Sequence, residues 1–110
     1  MNAYGRRAEA RVLLHYRLRG YSLLARNERA GGNELDLVLR RGGRVVFCEV
    51  KARSGDGFGD PLEAVGPEKR RRVRRAAETF LARHPELAGL EVAFEVAAVR
   101  RGRIERAPLL

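Results

Sequence analysis

Residues 34–51 read ELDLVLRRGGRVVFCEVK, and this stretch decides the fold. Apolar and polar residues alternate from Glu34 to Arg41, so Leu35, Leu37 and Leu39 are expected on one face of a strand. Glu34, Asp36 and Val38 fall on the other. Gly42-Gly43 is a two-residue hairpin signal, and residues 44–51 continue as a second strand rich in Val and Phe. If the two glycines are the turn, Arg41 pairs with Arg44. Asp36 then falls opposite Glu49, and Glu34 opposite Lys51. Directly opposed side chains have Cβ atoms roughly 4.5–5.5 Å apart.

Working outward from the hairpin, residues 22–28 form a short extended candidate, followed by an Ala30-Gly31-Gly32-Asn33 loop. Upstream, residues 4–19 predict a helix ending at Gly20, a residue suited to a left-handed cap. Its apolar positions Ala10, Leu13, Leu14 and Leu18 recur at helical spacing. Glu9, three and four residues before Val12 and Leu13, lies on or beside the inward face. Downstream, SGDGFGD (residues 54–60) reads as a flexible loop. Gly66-Pro67 then opens a second helix, with Pro67 at its first position and Glu68 in its first turn. Val73, Ala76, Ala77, Phe80 and Leu81 form its apolar stripe, and it stops near His84-Pro85. Residues 92–99 predict a buried or half-buried strand, Arg101-Gly102 a turn, and residues 103–105 a short edge. The order αβββαβ(β) predicts one α/β domain over residues 1–110, a mixed β-sheet flanked by helices.

Composition narrows the function. Lys and Arg number 23 against 14 Asp and Glu, a net charge of +9, and only Lys51 and Lys69 are lysines. Such a balance points to a polyanionic partner, most often nucleic acid. Hydrophobic residues make up 45% of the chain, enough for a core, so the charge does not signal disorder. No apolar run approaches the ~20 residues that span a bilayer. The polar, basic N-terminus has no signal-peptide pattern, so a cytoplasmic protein with no membrane partner is expected. The single cysteine, Cys48, excludes an intramolecular disulfide framework and a Cys-based zinc finger. One strand position from Glu49, it points to the opposite face as a small buried hydrophobe. His15 and His84 form no metal motif. The glycine loop lacks the Lys-Ser/Thr of a P-loop, and few aromatic residues are available to stack on bases.

The carboxylates carry the chemistry. Asp36 facing Glu49 repels it unless a proton, a cation or a metal lies between them. Mg²⁺ or Mn²⁺ suits one or two carboxylates plus water and phosphate oxygens. Lys51, two residues beyond Glu49 on the same strand face, can orient or deprotonate a water or stabilise charge developing on a phosphate. Carboxylate, carboxylate and lysine around one cation make a kit for phosphodiester hydrolysis. The residues leave a second reading open, a solvated hairpin face with Glu34–Lys51 as an ordinary ion pair worth ~0.5 kcal/mol. Val38 and Phe47 on that face, and Glu9 within reach from the first helix, favour a site. The run KRRRVRR places Lys69, Arg70, Arg71, Arg72, Arg74 and Arg75 within seven positions. Like charges this dense destabilise a helix unless an anion offsets them, which favours phosphate binding over a merely solvated face.

Glu9 on a first helix, Glu34-Leu35-Asp36, and a strand ending in Glu49-Val50-Lys51 resemble the PD-(D/E)xK nuclease core. More closely, the chain resembles the bacterial YraN family, which is similar to archaeal Holliday junction resolvases. The likeness runs through Gly5 and Glu9, Gly20-Tyr21, Ala25-Arg26-Asn27, Glu34-Leu35-Asp36, Phe47 to Arg53, and Val65 through Lys69 to Arg72. Asn33 stands where that family usually has Gly, and Glu95 where an Asp is common. The resemblance implies a restriction-endonuclease-like fold and an Mg²⁺- or Mn²⁺-dependent endonuclease acting on DNA, branched DNA included. In it Asp36 and Glu49 would be metal ligands, Lys51 the catalytic lysine and Glu9 an accessory acid. A homodimer would suit a two-fold junction.

Overall fold

The computed structural model describes residues 3–53 and 66–109. The SGDGFGD stretch lies outside them. Helix α1 (Ala3–Arg17) leads into strands β1 (Ser22–Ala30), β2 (Asn33–Arg41) and β3 (Arg44–Arg53). Helix α2 (Pro67–Ala82) and a short 3₁₀ turn (Pro85–Leu87) precede β4 (Glu91–Arg100) and β5 (Arg103–Pro108). The five strands form one sheet in the order β1-β2-β3-β4-β5. Only β3 and β4 run parallel, so the crossover between them carries α2. This mixed sheet flanked by two helices is compatible with a restriction-endonuclease-like fold. No helix among the described residues is long and apolar enough to cross a membrane.

The two helices bury opposite faces of the sheet. Val12, Leu13 and Tyr16 of α1 pack with Leu37, Leu39, Val46 and Cys48. Ala76, Ala77 and Phe80 of α2 pack with Val38, Val45 and Phe47. Phe47 meets Phe80 edge-on at 5.8 Å and stacks on Phe94 at 5.5 Å, tying β3, α2 and β4 together. Cys48 is buried on the α1 face, opposite to Phe47, as its strand position requires.

Several elements correct the sequence reading. The inward stripe of α1 is Ala8, Glu9, Val12, Leu13 and Tyr16, whereas Ala10, Leu14 and Leu18 face outward. Tyr16 carries the largest apolar surface on the helix and turns it inward, edge-on against Tyr21 at 5.2 Å. The helix ends two residues early. Gly20 adopts a left-handed φ of 88° and Tyr21 N–H donates back to Tyr16 O at 3.1 Å, a Schellman closure. The expected loop at residues 30–33 is a tight hairpin pairing Ala30 with Asn33. Both its glycines have positive φ, and a side chain on Gly31 would lie 3.0 Å from Thr79 Oγ1. β5 extends to Pro108, making it a full edge strand.

The hairpin register holds from Arg41–Arg44 through Leu37–Cys48 and then stops. Beyond that point β2 stays paired with β1 down to Asn33, while β3 stays paired with β4 out to Arg53–Arg100. The sheet therefore forks between Leu37 and Asp36. Leu35, beyond the fork, packs on the α2 side with Val38 and not with Leu37 and Leu39, so the expected alternation breaks there.

Candidate functional site at the fork of the sheet

The fork gathers side chains from five elements. Asp36 sits at its base. No ladder bond to β3 is recorded beyond Leu37–Cys48, and there the Asp36 carboxylate takes over, its Oδ2 accepting the Val50 N–H at 2.9 Å. Glu49 lies beside it and is 3% exposed. The reading as a solvated face does not hold for Glu49, which is withdrawn from water, while Asp36 beside it is half-buried. The expected Glu34–Lys51 ladder pair is also not formed, since both residues lie past the fork.

Burial, and then the Glu49 carboxylate alongside, push Asp36 up to about 7, against the lowering effect of the Val50 N–H. Glu9 contributes a smaller push in the same direction, which places three acids in one electrostatic neighbourhood.

Each helix sends one group to this point. From α2, Lys69 Nζ lies 2.6 Å from Glu49 Oε1. Lys69 stands four residues before the buried Val73, on the same side of the helix, which brings it to the sheet. From α1, Glu9 is 1% exposed. Its Oε1 accepts from Asn27 Nδ2 at 3.2 Å and has Arg26 Nε at 3.7 Å, while its Oε2 is buried without a hydrogen-bond partner. Burial raises its pKa, the Asn27 bond and Arg26 opposing. Sequence reasoning singled out neither Asn27 nor Arg26 for the site. A signal existed for Asn27: asparagine is rare inside strands and tolerates left-handed backbone, and here its φ is 52°.

Lys51 is half-buried, two residues past Glu49 and paired with Ala98 of β4. Among the described residues, no three His, Cys, Asp or Glu side chains converge to cage a metal ion. Asp36 and Glu49 are instead a pair of hard oxygen donors. That is the protein share Mg²⁺ usually takes, with water and phosphate oxygens completing its shell. The donor set thus fits such a cation, which would relieve the part of the Asp36 elevation that comes, after burial, from the Glu49 charge beside it.

Along α2, Arg70, Arg71, Arg72, Arg74 and Arg75 are exposed. Lys69 and Arg70 sit near the helix N-terminus, the end where the helix dipole disfavours cations and attracts anions. Helix stability does not account for this placement.

An α/β fold with a forked mixed sheet, an acidic pair at the fork and a cationic helix beside it defines the class. Residues 8–99 match the model of the uncharacterised protein family UPF0102. A UPF0102 protein of Frankia alni is 47% identical over 100 residues, covering 91% of this chain and 82% of its own. One from Synechococcus is 44% identical over 98 residues, covering 88% and 75%. One from Gloeobacter violaceus is 48% identical over 95 residues, covering 86% and 75%. The chain belongs to the UPF0102 family, the YraN-type family its motifs resemble.

Proposed function

We propose that the protein is a metal-dependent endonuclease that hydrolyses DNA phosphodiesters, branched DNA included, in the cytoplasm. The carrying observation is the buried Glu49 carboxylate beside the half-buried Asp36 at the fork, with Asp36 pushed up to about 7. Natural folds seldom bury two opposed acids unless a site uses them. Asp36 and Glu49 would hold Mg²⁺ or Mn²⁺, which polarises a phosphoryl oxygen and draws negative charge to itself when bound.

The chain's own groups divide the remaining work. Hydrolysis joins a water oxygen to phosphorus, breaks one P–O ester bond and returns a proton to the departing sugar oxygen. Lys51, beside Glu49 on β3, orients the attacking water and steadies charge growing on the phosphate. Glu9 holds the site from behind through Asn27. The exposed arginines of α2 carry phosphates on either side of the scissile bond, giving affinity and register without base selectivity.

A specific contact favours a second reading, a catalytically silent nucleic-acid-binding module of the same fold. Lys69 already supplies Glu49 with a cation, so the pair can be neutralised without metal. A labelled four-way junction incubated with Mn²⁺ or with EDTA separates the two. The nuclease reading expects Mn²⁺-dependent cuts that disappear in Glu49→Gln. Intact DNA that still shifts on a native gel, for wild type and Glu49→Gln alike, would replace it with the silent module.

A further inference from the structure

We propose a second phosphate-binding element, a row of arginines formed by Arg53, Arg100 and Arg103, which holds the same nucleic-acid strand beyond the fork. It rests on the nucleic-acid reading above, though not on cleavage. The row is set by strand register. Arg53 of β3 pairs with Arg100 of β4, and Arg100 pairs in turn with Arg103 of β5. Paired residues project to the same face, so three guanidinium groups stand side by side across three strands spaced ~4.8 Å apart.

That face is the one the fork uses. Glu49 pairs with Val96, which packs against Val73 of α2, and the same parity carries Lys51–Ala98 and then Arg53–Arg100. Arg53 therefore lies two residues past Lys51, ~6.6 Å along β3. A strand with one phosphate at Lys51 has its next phosphates within reach of the row.

The charge of the row is uncompensated. Like charges directly opposite one another across strands are destabilising. Arg44 and Arg106, also part-buried, bind Glu95. Arg53, Arg100 and Arg103 form no ion pair among the described residues. Arg100 Nε is moreover buried with no hydrogen-bond partner. Arg100, Arg101, Arg103 and Glu105 line a cavity of about 340 Å³. Glu105 is its one acid, and the cavity keeps a net positive lining. Arginine pairs with phosphate through two parallel N–H···O bonds, which suits Arg100 and Arg103 at the cavity and Arg53 beside them in the row.

The test is binding of the full-length protein to a labelled duplex and a labelled four-way junction, in EDTA, across a salt series. Arg103 is exposed, so Arg103→Gln reports without disturbing the core. Arg53→Gln/Arg103→Gln extends it, and Arg100→Gln is read only where its thermal melt matches wild type. Each lost contact is expected to flatten the slope of log affinity against log salt by about 1. Arg17→Gln, exposed on α1, is expected to leave the slope unchanged. Row variants that match wild type, while Arg71→Gln/Arg72→Gln on α2 weakens binding, would overturn the row and keep the nucleic-acid reading. An equal loss in Arg17→Gln would reduce the row to net charge and overturn it too. A wild-type protein that binds neither DNA would remove both.

Discussion

Glu95 and Asp36 are both acids held inside the sheet, yet their surroundings are opposite. Glu95, on β4 at the C-terminal end of α1, accepts from Arg106 Nε at 3.1 Å and from Arg44 Nη2 at 3.2 Å. Tyr16 O–H donates to the same carboxylate. The Arg106 guanidinium also lies 4.5 Å from the Tyr16 ring centroid. Asp36 faces a second carboxylate and has one backbone N–H for support. Two cations for one acid describe a structural network, whereas several acids sharing Lys69 and a distant Arg26 describe a site still short of positive charge. A carboxylate thus serves stability where it faces α1, while another at the fork is set against it.

The largest effect is expected where the network is complete. Glu95→Ala strands two part-buried guanidinium groups and the Tyr16 hydroxyl, and should cost about 3 kcal/mol in a denaturant melt. DNA affinity per folded molecule should be unchanged, because the cluster faces α1, on the side of the sheet away from Lys69 and the arginines of α2. A stability loss under 1 kcal/mol would put the two acids on the same footing and erase the contrast.

The next effect has the opposite sense and depends on pH. A carboxyl raised from 3.8 to about 7 in the folded protein binds its proton more tightly than the unfolded chain does. Its contribution to stability is complete below the ordinary carboxylate range and is lost as pH rises through about 7. A shift of that size is worth at most about 4 kcal/mol, and water reaching the fork brings the expected loss to about 2. Metal-free wild type should therefore weaken between pH 4 and pH 7, while Asp36→Asn should lose most of that slope. Parallel stability curves for the two proteins would show that Asp36 titrates normally and that the fork holds no excess charge.

Why the sequence showed the acids but not their setting follows from what each depends on. The Gly42-Gly43 turn and the two-residue period fix register locally, so Leu37–Cys48 and its neighbours pair as counted. The count fails one step later, because past that pair β2 follows β1 and β3 follows β4. No hairpin pattern contains those strands. Lys69 was legible as inward-facing from its spacing to Val73, but its seat on Glu49 needed the crossover that brings α2 over β3. Leu14 and Leu18 misled for a related reason. Helical periodicity gives a stripe only to within a third of a turn, and Tyr16 decided which side faced in.

Lys69→Met sharpens the comparison at the site itself. The ammonium 2.6 Å from Glu49 is the nearest positive charge to the acidic pair. It is also partly exposed, so its removal should cost about 1 kcal/mol in EDTA. Mn²⁺ should restore more stability to the variant than it adds to wild type, since metal binding no longer competes with the lysine. The readout is the midpoint of thermal melts with and without the metal. Equal Mn²⁺ responses would mean that lysine and metal do not share Glu49.

The smallest effect on stability separates function from fold most cleanly, because its sign runs against the usual one. Arg71 is exposed on α2, with Arg74 and Arg75 three and four residues on. Like charges at those spacings repel across the helix surface, so Arg71→Gln should raise stability by a few tenths of a kcal/mol. The same change removes a phosphate contact and should weaken DNA binding several-fold at low salt. A residue whose loss steadies the helix and harms binding is kept for the binding. If Arg71→Gln instead destabilises the protein and leaves DNA affinity intact, the arginine-rich face is a solvated surface. The contrast between Glu95 and Asp36 would then rest on the fork alone.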